Sequence, residues 1–213
     1  MRQIIYLIRH GHTSGTENNI MYGSTELPVT EDGLQEIRDM AARDVYPDPE
    51  DAVMYTSGML RTEQTFEAIY GDAEHSVEPL LREIDFGRFE MMTIEEILAD
   101  EYGKLWLTGE VENPEFEGGD TLDGFIARVN RGLKNIIENA KESALEKAIA
   151  VIHGGVMSYL MQDMFPDEKE DMWDWTPYPG CGYVIELKEG KALNWQPIGV
   201  PGGVGNPVKN NND

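Results

Sequence analysis

Twice in this chain an unbroken apolar run ends on a histidine followed by glycine. Ile4-Ile5-Tyr6-Leu7-Ile8 leads into Arg9-His10-Gly11, and Ala148-Ile149-Ala150-Val151-Ile152 leads into His153-Gly154-Gly155. Runs of this length and type match strands covered on both faces, as inside a parallel sheet. Ligands of such open α/β sheets bind in the crevice beyond the carboxyl ends of the strands. The repetition therefore predicts two central strands that deliver two imidazoles and several glycines to one end of one sheet. Arg9 offers a fixed cation, His10 a nucleophile or proton carrier, and Gly11 a place where backbone can come close to a ligand. Together they suit the handling of an oxyanion.

The segments between these runs continue a strand-and-helix alternation. Residues 10–29 form a connection rich in Thr, Ser, Asn and Gly, long enough to suggest a binding role. Thr30 is placed to cap a helix with Leu34, Ile37 and Ala41 on one face and Glu31 and Asp32 at its positive end. Ala52–Tyr55 reads as a second strand, which Thr56-Ser57-Gly58 turns into a helix carrying Leu60, Arg61, Gln64, Thr65 and Ile69. Arg61 in that first turn opposes the helix dipole, which an anion bound alongside would explain; a surface arginine fits the placement equally well. Ser76-Val77-Glu78 reads as a short strand, and the turn-rich segment after it holds Glu83.

Residues 88–120 read as a small helical insertion, with one helix from about Thr93 to Leu107 and then an acidic loop. Thr121 opens an amphipathic helix with Leu122, Phe125, Val129, Leu133, Ile136 and Ile137 as its core face, leaving Arg128, Arg131 and Lys134 to be solvated. A helix follows over 156–164, then an acidic, Trp-bearing stretch over 167–175 that is a short helix or a loop over the site. Tyr183–Leu187 and Ala192–Pro197 read as a hairpin at an edge of the sheet. The expected organisation is one domain over 1–198 and a disordered Gly-, Pro- and Asn-rich tail over 199–213.

Charge and cysteine content narrow the partners. Against 17 Lys and Arg stand 40 Asp and Glu, a formal charge of −23 that disfavours nucleic acid and anionic membrane surfaces. The same charge favours small substrates with a single phosphate over heavily phosphorylated ones. Cys181 is the only cysteine, so no disulfide forms within the chain. No stretch reaches transmembrane length and the apolar run near Met1 is too short for a signal peptide, so a cytoplasmic location is expected. A homo-oligomer is compatible with the sequence. His12, two residues from His10, lacks a third ligand of suitable spacing for a metal, His75 reads as a surface residue without a partner, and Met91 and Met92 are core filler or an apolar part of the pocket wall.

Leu7-Ile8-Arg9-His10-Gly11-x-Thr13 resembles the Arg-His-Gly motif of the histidine phosphatase superfamily, in its phosphoglycerate mutase-like branch. Thr56-Ser57-x-x-Leu60-Arg61-Thr62-x-Gln64-Thr65, Leu81-Arg82-Glu83-Ile84-Asp85-Phe86-Gly87 and Val151-Ile152-His153-Gly154-Gly155-Val156 are similar, in order, to its three later motifs. A lone Arg-His-Gly is weak evidence, whereas four segments in order and spacing are specific. The resemblance implies a three-layer α/β/α sandwich with a mostly parallel central sheet. It also implies a catalytic set of His10, Glu83, His153, Arg9 and Arg61, with Arg9, Gly11, Thr16, Gly23, Arg61 and Gly154 holding the substrate phosphate.

On that reading His10 forms a phosphohistidine, and Arg9, Arg61 and a protonated His153 hold the equatorial oxygens. Glu83 moves the proton of the leaving group and of the attacking water, and neither a metal nor any other cofactor is required. The chain departs from the family where a common Asn is Thr16, with Asn18 and Asn19 nearby, where a basic residue is Ile20, and where Trp-Glu-Gly is Phe89-Glu90-Met91. A mutase needs extra basic residues to hold an acidic intermediate, and the insertion here is acidic. The expected activity is therefore hydrolysis of a small phosphomonoester, for example a sugar phosphate or a nucleotide-like ester such as α-ribazole phosphate. The alternatives are mutase-type transfer and non-catalytic binding of a phospho-ligand.

Overall fold

The computed structural model describes residues 2–199. A six-stranded sheet consists of β1 (Arg2–Arg9), β2 (Ala52–Thr56), β3 (Ser76–Val77), β4 (Lys147–Ile152), β5 (Gly182–Lys188) and β6 (Lys191–Ile198). Their spatial order is β3-β2-β4-β1-β5-β6. The first four in that order are parallel, while β5 runs antiparallel to β1 and forms the expected hairpin with β6. Around the sheet lie α1 (Ser14–Glu17), α2 (Glu31–Ala41), α3 (Leu60–Tyr70), α4 (Ile94–Ala99), α5 (Glu101–Leu107), α6 (Leu122–Glu142) and α7 (Gly154–Met164).

Side chains alternate across the two inner strands and so assign the layers. Ile5, Leu7, Ala150 and Ile152 join Val129, Leu133 and Ile136 of α6 and Val156 and Leu160 of α7 in one core. Ile8, Ile149 and Val151 turn the other way onto Phe66 of α3, and α2 packs beside α3 through Ile37 and Met40. Ile5, Leu7 and Ile8 are fully buried, each contributing about 1.5–3 kcal/mol. That burial anchors the strand whose next residues are charged and costly to bury. Because Arg9 pairs with Ile152 in parallel register, β1 and β4 end side by side, and the His10 N–H donates to Ile152 O (3.0 Å).

Several local expectations need correcting. The single helix over 93–107 is two, because Asp100 leaves helical geometry, accepts from the Gly103 N–H to cap α5, and pairs with Arg88 (2.7 Å). Arg128 is not solvated. It turns inward from α6 to donate to three backbone carbonyls and to Asp120. His75 has a partner, the Glu63 carboxylate at 2.9 Å, and stacks beside Phe66. The stretch over 167–175 ends in a single 3₁₀ turn, Met172–Trp175, with Trp175 fully buried. The tail expected to be disordered falls, beyond Gly199, outside the described residues.

Candidate active site

Both histidines leave adjacent parallel strands at the same level, so strand spacing alone brings them together. Their ring centroids are 5.4 Å apart. His10 Nδ1 lies 2.8 Å from Gly11 O. A carbonyl only accepts, so the proton is on Nδ1 and Nε2 carries a free lone pair. His153 has the opposite arrangement from His10. Arg61 Nε donates to His153 Nδ1 (3.2 Å), and arginine only donates, so Nε2 bears the proton and gives it to Ser57 Oγ (2.7 Å). His153 is therefore neutral here, against the protonated form expected. Both imidazoles are held well below the ordinary histidine value, first by burial and then by the nearby Arg61 guanidinium.

The two arginines enclose this pair. Arg61 is completely buried, and its two terminal nitrogens donate to Thr25 O (3.0 Å) and Gly23 O (2.6 Å). Its guanidinium also lies 5.1 Å from the centre of the Tyr22 ring. Arg9 donates to Pro177 O (2.6 Å), but its buried Nε has no hydrogen-bond partner among the described residues. A buried cationic N–H left unpaired costs about 1–3 kcal/mol or more. An anion docked beside it would recover that cost. The positive end of α7 starts at Gly154, directly after His153, and adds to the same field.

Glu83 stands on the far side. Its Oε2 accepts from the Gly155 N–H (2.8 Å) and its Oε1 from the N–H of Ile84 (3.1 Å). A side chain at 155 would put Cβ 2.6 Å from Glu83 Oε1, so glycine there gives the carboxylate its place. The backbone beneath Glu83 is held by Arg128, which donates to Leu80 O (3.1 Å), Arg82 O (2.5 Å) and Glu83 O (2.8 Å). Asp120 receives Arg128 and the Asp85 N–H together. Arg128 is a positioning residue that helical periodicity assigned to solvent.

Glu90 is a second organiser that the sequence reading left without a role. Its carboxylate accepts from the N–H groups of Gly23, Ser24, Thr25 and Phe86 and from the Thr25 hydroxyl. It therefore shapes the loop whose carbonyls hold Arg61. Met91, next in the chain, sits at φ +65°, where the resembling family has glycine. Ser57 and Tyr22 were also missed. A serine or tyrosine in a polar loop gives no signal until its partner is in view.

The structure thus gathers His10, His153, Arg9, Arg61 and Glu83 around one space, with Gly154 against Arg9, where a Cβ would lie 3.1 Å from Nε. Other expected phosphate contacts have partners of their own. The Gly11 N–H donates to Thr65 Oγ1 and that of Gly23 to Glu90, while Thr16 closes a capping box with Thr13. Thr16 and His12 line the wall of the cavity, and His12 lies 3.8 Å from Glu36. Met21 lines it as well, unlike Met91 and Met92. The cavity measures about 630 Å³, and its outer wall includes Ile94, Trp106, Leu107, Trp173 and Tyr178. Among the described residues no group of three or more His, Cys, Asp or Glu side chains is placed to hold a metal, and no helix is long and apolar enough to cross a membrane.

Comparison with known proteins fits this geometry. The profile of the Histidine phosphatase superfamily (branch 1) matches residues 5–195. The chain belongs to that superfamily. It is 24% identical over 204 residues to the adenosylcobalamin/alpha-ribazole phosphatase of Escherichia coli K12, covering 92% of this chain and 98% of that protein. It is 26% identical over 161 residues to the probable phosphoglycerate mutase GpmB of Enterobacter sp. 638, covering 74% and 72%. A solved structure of a putative alpha-ribazole-5'-P phosphatase from E. coli K-12 superposes with a TM-score of 0.76 at 22% identity, over 90% of this chain and 93% of that one. Phosphoryl transfer is the chemistry of the superfamily, and its members named here include both phosphatases and mutases.

Proposed function

We propose that the protein hydrolyses a phosphomonoester of a small metabolite through a phosphohistidine on His10. The lone pair of His10 Nε2 attacks phosphorus as the bond to the leaving oxygen breaks, and Glu83 gives that oxygen its proton. Glu83 then takes a proton from water, whose oxygen attacks the same phosphorus; the Nε2–P bond breaks and phosphate leaves. Arg9 and Arg61 hold the equatorial oxygens. As Arg61 Nε turns to the phosphoryl group, the anion stabilises a second proton, taken up from solvent on substrate binding, on His153 at Nδ1, so that His153 becomes a third donor.

The observation that carries hydrolysis over transfer is the wall of the cavity. Among the described lining residues only Arg9 and His12 are basic, and the outer part is apolar and aromatic. A mutase has to retain a second anionic group at that distance from phosphorus, and an aromatic wall supplies no charge to hold one. The similarity to alpha-ribazole phosphatases supports a nucleotide-like monoester among the substrates. The test is to follow inorganic phosphate from a panel of phosphorylated metabolites while trapping an acid-labile label on His10. Phosphate release faster than transfer to a second hydroxyl, with no label in His10→Ala, is expected; the reverse order of rates means a mutase.

A further inference from the structure

Beside the main cavity is a second, smaller one of about 160 Å³. The two share Phe86, Trp106, Gly155 and Trp173, so they are neighbouring chambers with a common wall. The position of that wall matters chemically. Gly155 is the residue whose N–H holds the Glu83 carboxylate, and Ile84, next to Glu83, lines the small chamber. The acid must meet the leaving oxygen, so the rest of the leaving group departs on Glu83's side, towards this chamber. The rest of its lining is largely apolar, including Val111, Phe116 and Leu122, with one acidic residue, Glu112. Its aromatic lining is fixed by mutual edge contacts, with Trp106 and Phe116 ring centroids 4.8 Å apart and Phe86 and Phe116 5.3 Å apart.

We infer that this annex selects the leaving group: the preferred substrates are monoesters whose alcohol carries one flat, uncharged apolar ring. The inference rests on the hydrolytic reading above and adds to it the class of ester accepted. A cavity of about 150 Å³ accommodates one benzene ring, which matches the size. Glu112 and the aromatic wall penalise a second phosphate or carboxylate in the annex.

The experiment compares 2-phenylethyl phosphate with propyl phosphate, whose leaving alcohols differ little in acidity, on the wild-type protein. A kcat/KM higher for the phenyl ester by about tenfold to a hundredfold is expected, as for placing one ring in an apolar pocket. Val111→Trp fills the annex from the loop and is expected to bring the ratio close to one. Equal kcat/KM for the two esters on wild type, or an unchanged ratio in a folded V111W protein, overturns the annex and leaves the hydrolase reading intact. Release of phosphate from neither ester nor from the metabolite panel, with no label on His10, defeats the hydrolase reading itself.

Discussion

The inner wall of the site, where Arg9 lines the cavity in front of the buried His10, His153 and Arg61, is charged and closely bonded, with every side-chain nitrogen of His153 and Arg61 paired. The outer wall, from Ile94, Trp106 and Trp173, is apolar and partly open, with Trp173 51% exposed. The inner wall is tied to two central strands and cannot change without disturbing the sheet. The outer wall hangs on short helices and loops of the segment over 88–120 and on one 3₁₀ turn. On the proposed function, this division separates what acts on the phosphoryl group from what recognises the rest of the substrate, and the two parts should respond differently to substitution.

The sharpest way to test the division is His10→Ala. Loss of the nucleophile should lower phosphate release by about 10⁴-fold or more for every ester alike. A variant whose deficit depends on the alcohol would blur the distinction between the walls.

Acid should find the inner wall first. Both buried histidines have folded-state affinities for protons below those of the unfolded chain, so the unfolded state binds more protons and stability falls as pH drops below about 6.5. The two together add a slope of up to about 2.7 kcal/mol per pH unit. Denaturant unfolding across pH 5 to 8 reads it, and a double His10→Gln, His153→Gln variant should lose most of that slope.

Arg128 ties the backbone under Glu83 to Asp120. Replacing it with Met removes the donor that fixes the backbone under Glu83, and a misplaced acid should cost about 10²-fold in kcat with KM little changed. The deficit should grow for alkyl esters and shrink for p-nitrophenyl phosphate, whose leaving group needs no proton. Lys at 128 should restore part of it, and a uniform loss across leaving groups would assign Arg128 to stability alone.

The smallest effect belongs to the outer side. Met91 has a left-handed backbone and is 42% exposed. Relief of about 1–2 kcal/mol by glycine exceeds the entropy glycine adds to the unfolded chain, so Met91→Gly should stabilise by about 0.5–1 kcal/mol in denaturant unfolding.

The same division explains what could be read from the chain directly. The strands ending at Arg9 and Ile152 announce themselves because burial on both faces leaves no polar residue in the run, and the motifs of the inner wall follow them at once. The helix caps at Thr30 and Thr121 were equally visible, since a cap is a local bond between near neighbours. Arg128 was not, because its acceptors at 80, 82 and 83 lie more than forty positions away and helical spacing alone puts it on the polar side. Glu90 was hidden for the same reason, its amide donors at 23–25 belonging to a different loop. The break at Asp100 escaped notice because Ile94, Ile97 and Leu105 keep a helical rhythm across it.

The place of β1 makes the folding of the site a long-range event. Its neighbours in the sheet are residues 147–152 on one side and 182–188 on the other, both far along the chain. Both of its edges stay open until those distant segments arrive, and an unpaired apolar strand is a template for aggregation. Such long-range closure also makes for slow folding. The pair of imidazoles therefore comes into being only when β4 docks.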